Sequence, residues 1–317
     1  MRRAFVLALL ALIGFAAVTF MRSGGVAERD VEVLIAPGSS LTAAARTLEN
    51  AEAIDSASGF VRNAKLFGSG VPIKPGEYKI TAGMDAGDIL ALLQSGKTLQ
   101  RLVAIPEGMP SILVHERLMA VPLLTGPLSV PPEGSVLPDS YAYTRGEPRS
   151  AVLGRMQKAM QTALANEWKA RKPTTAVKSP EQAIILASII EKETGRASER
   201  RMVSAVYSNR LKRGMPLQAD PTTIYPVTKG KPLGRRILQS ELDSDNGYNT
   251  YRRNGLPVGP IANPGKAAIR AALDPEASNA IYFVAQGDGS SAFADTLAEH
   301  NINVQKWFAH RRAKGEM

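Results

Sequence analysis

Ser179-Pro180-Glu181-Gln182-Ala183-Ile184-Ile185-Leu186-Ala187-Ser188-Ile189-Ile190-Glu191-Lys192-Glu193-Thr194-Gly195 reads as one helix with both ends marked. Ser179 is a good N-cap, Pro180 suits the first helical position, and Gln182 completes a capping box. Glu181 lies where the helix dipole favours a negative charge. Gly195 suits the position just past the C-terminus. Residues 183–190 are apolar nearly all round, which predicts a helix enclosed by a core. The segment is too short and too well capped to be a membrane span.

The end of this helix is chemically unusual. Glu191 and Glu193 lie in its last turn, where the carbonyl end of the dipole disfavours negative charge by roughly 0.3–1 kcal/mol each. The adjoining apolar turns oppose ionisation further. Both effects raise a carboxylate pKa, as a general acid at neutral pH requires. A locally unfavourable choice of this kind is expected at a functional site. The two glutamates are two positions apart, so they point about 200° from each other. Only one can face a given cleft, and helix geometry alone does not choose between them. Both could equally be solvated end residues that pair with Lys192 or Arg196.

Downstream, an amphipathic helix is expected over residues 198–212, capped by Ser198, with Met202, Val203, Val206, Tyr207 and Leu211 on its apolar face. Three loops follow. Residues 215–225 bring Gln218, Asp220 and Thr222 together, an amide, a carboxylate and a hydroxyl suited to sugar hydroxyls. Residues 247–251 hold Tyr248, Asn249 and Tyr251; tyrosine can stack on a pyranose ring while asparagine binds hydroxyls. Residues 255–265 are dense in proline and glycine, which fixes a loop path around Asn263. Each loop alone could be turn chemistry; the three together point to a cleft. A short helix at 267–273, a buried strand at 281–285 and a terminal helix at 296–308 complete this half.

Upstream, Val31, Val33 and Ile35 alternate with Glu32 and Leu34 as in a strand. Ser40 can cap a helix over 41–50. A second helix is expected at 56–66, a strand near 77–80, and a helix from Asp85 to about Leu93 that stops near Gly96. This is a small α+β module. A strand at 101–105, a helix near 112–119, a turn at 131–134 and a helix over 150–168 lead to the central segment. The expected organisation is a tip and anchor at 1–22, a linker at 23–30, the small module at 31–100 and a larger mixed α+β domain at 101–317.

The first residues bear on the compartment. Arg2 and Arg3 precede residues 4–21, which carry no charge; as a helix these span about 27 Å, close to the ~30 Å hydrocarbon core. Positive charge before the run puts the N-terminus in the cytoplasm and exports the rest. A cleavable signal peptide is the other reading, but no clean small-x-small site follows the run. The 317 residues carry a formal net charge of +10, which suits an anionic partner. Only 6% are aromatic, and no base-stacking pattern appears, so nucleic acid is not expected. There is no cysteine, which excludes disulfides and thiolate metal sites. His115, His300 and His310 have no ligand spacing, so no metal or other cofactor is expected.

Several stretches resemble the MltG/YceG-like endolytic murein transglycosylases. They are residues 186–194 of the opening helix, Gln218-Ala219-Asp220-Pro221-Thr222, Tyr248-Asn249-Thr250-Tyr251 and the 255–265 loop. Glu133-Gly134-Ser135-Val136-Leu137-Pro138-Asp139-Ser140-Tyr141, Phe283-Val284-Ala285 and Glu299-His300-Asn301 belong to the same pattern. The likeness runs from the apolar start to the last helix. Val258 departs from it, standing where a second proline is common, and so does Ser291, where many members have histidine.

The resemblance implies that the module at 31–100 is LysM-like and that Glu193, rather than Glu191, is catalytic. It implies cleavage of the bond between N-acetylmuramic acid and N-acetylglucosamine within nascent peptidoglycan strands, leaving a 1,6-anhydro end. It implies an inner-membrane protein, single-pass, with its catalytic domain in the periplasm and peptidoglycan synthases (penicillin-binding proteins) as partners. Gln218, Asp220, Thr222, Tyr248, Asn249, Tyr251 and Asn263 would then position substrate. Two other readings stay open: a hydrolase in which Asp220 activates water, and a non-catalytic wall-binding scaffold of the growth machinery.

Overall fold

A computed structural model describes residues 26–315. The anchor expected over residues 4–21 lies outside them, and among the described residues no helix is long and apolar enough to cross a membrane. The chain is mixed α+β with two-stranded sheets, and it divides into two units. The first runs to Arg101 and includes residues 143–146; the second holds the remainder.

In the first unit, β1 (Val31–Ile35) is followed by α1 (Leu41–Asn50), α2 (Ala57–Phe67), β2 (Gly76–Ile80) and α3 (Ala86–Ser95). β1 and β2 are antiparallel, with Val31 opposite Ile80 and Ile35 opposite Gly76. The alternation of β1 is the expected one: Val33 and Ile35 are buried, while Leu34 is exposed. Ser40 caps α1 by accepting the Ala43 amide at 3.2 Å. Asp85 caps α3 in a capping box with Asp88, and Gly96 ends that helix in the left-handed region. Leu48, Phe60, Tyr78, Ile89 and Leu93 fill the core between helices and sheet.

The second unit opens with β3 (Arg101–Ala104), α4 (Ser111–Met119), β4 (Ser140–Tyr143) and α5 (Arg149–Lys169), the end residues Arg101 and Tyr143 counting with the first unit. β3 pairs with β4. α6 (Pro180–Glu193) is the helix of the opening stretch, and seven of its residues, including Leu186, Ile189 and Ile190, are buried as expected. A single 3₁₀ turn at Ala197–Glu199 leads into α7 (Arg200–Lys212). Then come α8 (Asp220–Thr228), α9 (Gln239–Leu242), α10 (Lys266–Leu273), the hairpin β5 (Tyr282–Ala285) and β6 (Ser291–Ala294), and α11 (Leu297–Ala313). α5, α7, α8 and α10 all pack on α6.

Five local expectations change. Gln182 does not complete a capping box, because Ser179 accepts the Gln182 amide at 3.3 Å but the Gln182 side chain accepts the Lys178 amide at 2.8 Å instead. α6 ends without a left-handed residue: Thr194 is extended, at φ −139° and ψ 128°, so the chain leaves the helix straight. Ser198 does not cap α7, because it lies within the 3₁₀ turn. Part of the expected loop at 215–225 is the start of α8, with Asp220 in the first turn and Pro221 beside it. The strand at 281–285 is only half-buried, since β6 is its one strand neighbour.

Ser188 and Asn263 fasten the proline- and glycine-rich loop to the rest of the unit. The Ser188 hydroxyl accepts the Ile261 amide at 3.0 Å inside the core. The Asn263 side-chain amide donates to the Met109 carbonyl at 2.9 Å and the Ser111 hydroxyl at 3.1 Å, and its oxygen accepts the Val136 amide at 3.0 Å. Gly134 lies where these segments meet. Its φ is +74°, and a Cβ there would fall 2.7 Å from both Ile184 and Pro260.

Among its described residues, the first unit carries one buried charge. Glu77 on β2 is 2% exposed and accepts Nε of Arg101 at 2.9 Å and Nε of Arg145 at 2.8 Å. Two guanidiniums cover it, and the hydrogen bond from Arg101 is the main cause holding its carboxyl below the usual range. Removing one member of a buried pair leaves the others uncompensated. Glu77→Gln is therefore expected to lower the protection of β1 and β2 amides against hydrogen exchange by on the order of 3 kcal/mol at pH 7. Because the folded pKa is depressed, the stabilisation is present above the ordinary glutamate range and lost as pH falls through and below it. Wild type and variant are expected to converge as pH falls well below the ordinary glutamate range, a comparison that exchange measurements at several pH values make directly.

Candidate active site

α6 delivers two carboxylates, and the structure gives them different surroundings. Glu191 has a side chain 5% exposed; it accepts the Gly265 amide at 2.9 Å and stands 3.5 Å from Arg200. It thereby ties the end of the 255–265 loop to the helix. The fit is close, since a Cβ on Gly265 would land 1.9 Å from the Glu107 carboxylate. Burial raises the Glu191 pKa, against the bond from Gly265. Both of its oxygens are engaged within the protein.

Glu193 instead lines an open cleft of about 310 Å³. Its side chain is half-buried, open to the cleft on one side and enclosed by protein on the others. Burial is the largest influence and pushes its carboxyl up to about 7. A hydrogen bond from Tyr207 works the other way, the Asp220 carboxylate adds a further rise, and the Arg210 guanidinium lowers it. A carboxyl in this range can give up a proton at neutral pH and take one back.

α7 supplies the wall opposite. Tyr207 is 1% exposed and meets Phe283 edge-on at 6.0 Å. Arg210, 8% exposed, donates to the carbonyls of Ile281 at 2.7 Å and Leu217 at 2.8 Å and to the Gln218 side chain at 3.3 Å. It so fixes β5 and the 215–219 turn around the cleft. Gln218 holds a left-handed conformation, at φ +53°. At the start of α8, Asp220 accepts the Tyr251 hydroxyl at 2.5 Å. His300 on α11 closes the cleft, stacked on Tyr282 at 5.0 Å, with its Nδ1 buried and unbonded. Burial, aided by Arg210, holds its pKa below the ordinary value.

Of the residues singled out in the sequence, Glu193, Gln218, Asp220 and Tyr251 meet in this cleft. The others lie behind it. Thr222 is fully buried and bonded to the Ala219 carbonyl and the Thr250 hydroxyl. Asn249, 1% exposed, donates to the carbonyls of Glu241, Leu242 and Ser244 and accepts the Tyr251 amide. Asn263 is fully enclosed in the bonds described above. Tyr248 faces Tyr225, with ring centroids 4.9 Å apart, and does not line the cleft.

Sequence reasoning missed Tyr207, Arg210, Phe283 and His300 as site residues. Tyr207 carried a signal: a hydroxyl on an otherwise apolar helix face needs a partner when buried. Phe283 and His300 lie in stretches that carry the family resemblance, but nothing local gave them or Arg210 a role, because the cleft is assembled from segments far apart in the chain. A larger hollow, about 660 Å³, lies in the first unit between α1 and α2, but its charged side chains Arg46, Glu49 and Arg62 stand at the surface.

Known proteins share this chain's pattern. An endolytic murein transglycosylase of Bacillus subtilis is 28% identical over 90% of this chain and 86% of its own length. One from Streptococcus pneumoniae is 25% identical over 87% of this chain, which spans 58% of that protein. A crystal structure of a yceG-like protein from Listeria monocytogenes is 29% identical and superposes with a TM-score of 0.55, covering 86% of this chain and 98% of that one. The model of the YceG-like family matches residues 33–306, and the chain belongs to that family.

Proposed function

We propose that this protein is an endolytic murein lytic transglycosylase in which Glu193 is the single acid–base group. The observation that carries this reading is a carboxyl with its pKa raised to about 7 on the wall of an open cleft. The names of the Bacillus and pneumococcal relatives support the reaction class.

Protonated Glu193 donates to the glycosidic oxygen between N-acetylmuramic acid and N-acetylglucosamine. The C1–O bond breaks and the leaving sugar keeps its hydroxyl. The 6-hydroxyl of the muramic residue attacks C1, and the Glu193 carboxylate takes its proton. The strand ends in a 1,6-anhydro sugar, no water is consumed, and Glu193 returns to its starting state. One carboxyl suffices, whereas a glycoside hydrolase commonly needs two. Gln218, Asp220, Tyr251, Arg210 and His300 hold the sugars; Tyr207 and Arg210 stabilise the transient carboxylate.

The same reading gives the chain its setting. Residues 4–21 anchor it in the inner membrane with the N-terminus cytoplasmic, and the rest works in the periplasm on nascent strands beside the peptidoglycan synthases. The strand–helix–helix–strand order of the first unit supports a LysM-like module over 31–100.

Three outcomes test the reaction. Wild-type digests of peptidoglycan, read by mass spectrometry, are expected to carry anhydro ends; reducing ends heavier by one water would instead make Asp220 the base of a hydrolase. Glu193→Gln is expected to lose about 10²–10⁴-fold in rate while remaining folded; full activity in that variant would sink the assignment. The variant is also expected to melt higher than wild type at pH 8 but not at pH 4. The folded pKa of Glu193, about 7, lies above its ordinary 4.5. The relative stability of wild type is fullest below the ordinary value and is lost as pH rises through about 7.

The pH profile is a further check. kcat/KM is expected to be level on the acid side and to fall with a single limb near pH 7, as the donor loses its proton. Tyr207→Phe removes a hydrogen bond that favours the Glu193 carboxylate, so its limb is expected at higher pH. A limb that stays in place would remove Tyr207 from the proton's control.

A further inference from the structure

A second groove, about 450 Å³, opens beside the cleft within the same unit. The two share walls through consecutive residues. Glu193 and Asp220 face the cleft, while Lys192 and Pro221 face the groove. Pro221, Ile224 and Tyr225 present one face of α8 to it, and Pro106, Pro110 and Leu113 form the other side.

The groove's chemistry differs from the cleft's. Its walls are mainly prolines and aliphatic side chains, poor in partners for sugar hydroxyls. Its charges are mostly spoken for: Glu107 lies 3.4 Å from Arg200, and Lys231 pairs with Glu116 at 2.6 Å. Lys192 is the exception. It is exposed, its stem passes Gly108, and among the described residues no carboxylate pairs with its ammonium. The groove is therefore apolar with one uncompensated positive charge at the rim nearest Glu193.

Given the murein reading of the preceding subsection, we infer that this groove takes the peptide carried by the muramic residue being cut. A murein peptide carries alanine methyls at both ends and, at its γ-linked D-glutamate two residues from the sugar, a free α-carboxylate. The methyls suit the proline and aliphatic walls, and a carboxylate near the sugar suits Lys192. The groove's adjacency to Glu193 matches the attachment of that peptide to the sugar whose C1 reacts. Peptide-bearing stretches of a strand would then be cut in preference to bare ones.

The test uses the full-length protein and a free probe, the pentapeptide L-alanyl-γ-D-glutamyl-L-lysyl-D-alanyl-D-alanine. Wild type is expected to bind it with salt-sensitive affinity. Lys192→Glu, a surface change that leaves the fold intact, and Ile224→Arg are each expected to weaken it about tenfold. In parallel, uncrosslinked strands are digested before and after an amidase strips their peptides. The wild-type preference in kcat/KM for peptide-bearing over bare strands is expected to be about tenfold and to collapse towards one in both variants. Equal cutting of both strands by wild type, or a preference that survives both variants, would overturn the inference. Peptide binding through Lys192 without anhydro ends from either strand would instead keep the groove and overturn the transglycosylase reading.

Discussion

Helix α6 has no polar face to leave in water, so the second unit has to enclose it. Four helices pack against it, and the proline- and glycine-rich loop covers what they leave open. Enclosure is hard on the one polar side chain in its middle, Ser188, which is satisfied by the Ile185 carbonyl and the Ile261 amide. The same enclosure brings the last turn of α6 to the edge of the core. There a carboxylate is half in protein and half in a cleft.

Three half-buried carboxylates in this unit show how partners decide a role. Glu133 accepts the Ser111 amide at 2.9 Å and the Tyr225 hydroxyl at 3.2 Å, and Asn263 donates to it at 3.3 Å. Glu191 holds the Gly265 amide and faces Arg200. Burial raises the pKa of each, but their oxygens are committed to neighbouring backbone and side chains. Glu193 meets fewer fixed donors and keeps a side open to the cleft. Desolvation is common to all three, and the open side belongs to Glu193.

Much of the architecture was legible in the sequence because it rests on local rules. The caps at Ser40, Asp85 and Ser179 and the alternation of β1 are short-range signals, and each is realised. The start of α8 is hidden among the mixed polar residues of 215–225, although Asp220-Pro221 is a proper helix start. The site was legible in part. Gln218, Asp220 and Tyr251 could be found from residue type, and Glu193 was separated from Glu191 only by the family resemblance, but Thr222, Asn249 and Asn263 could not be told from the cleft residues. A buried asparagine that locks a turn and an exposed one that binds a hydroxyl look alike until burial is known. Arg210 and His300 reach the cleft through tertiary packing, so their place in it could not be read even where, as for His300, the stretch around it carried the resemblance.

The bonds of Asn263 join residues that are far apart in the chain. Its side chain reaches Val136 across 127 positions and Met109 across 154. Contacts of such long range are costly to close and form late in folding. α6 is synthesised well before α10 and the 255–265 loop that cover it, so its apolar surface stays uncovered while the intervening chain emerges. A nascent chain in this state presents an aggregation-prone helix rather than a working cleft. The order of synthesis thus withholds the enzyme's chemistry until the chain has passed His300, and a truncation before residue 265 leaves a helix without its shelter.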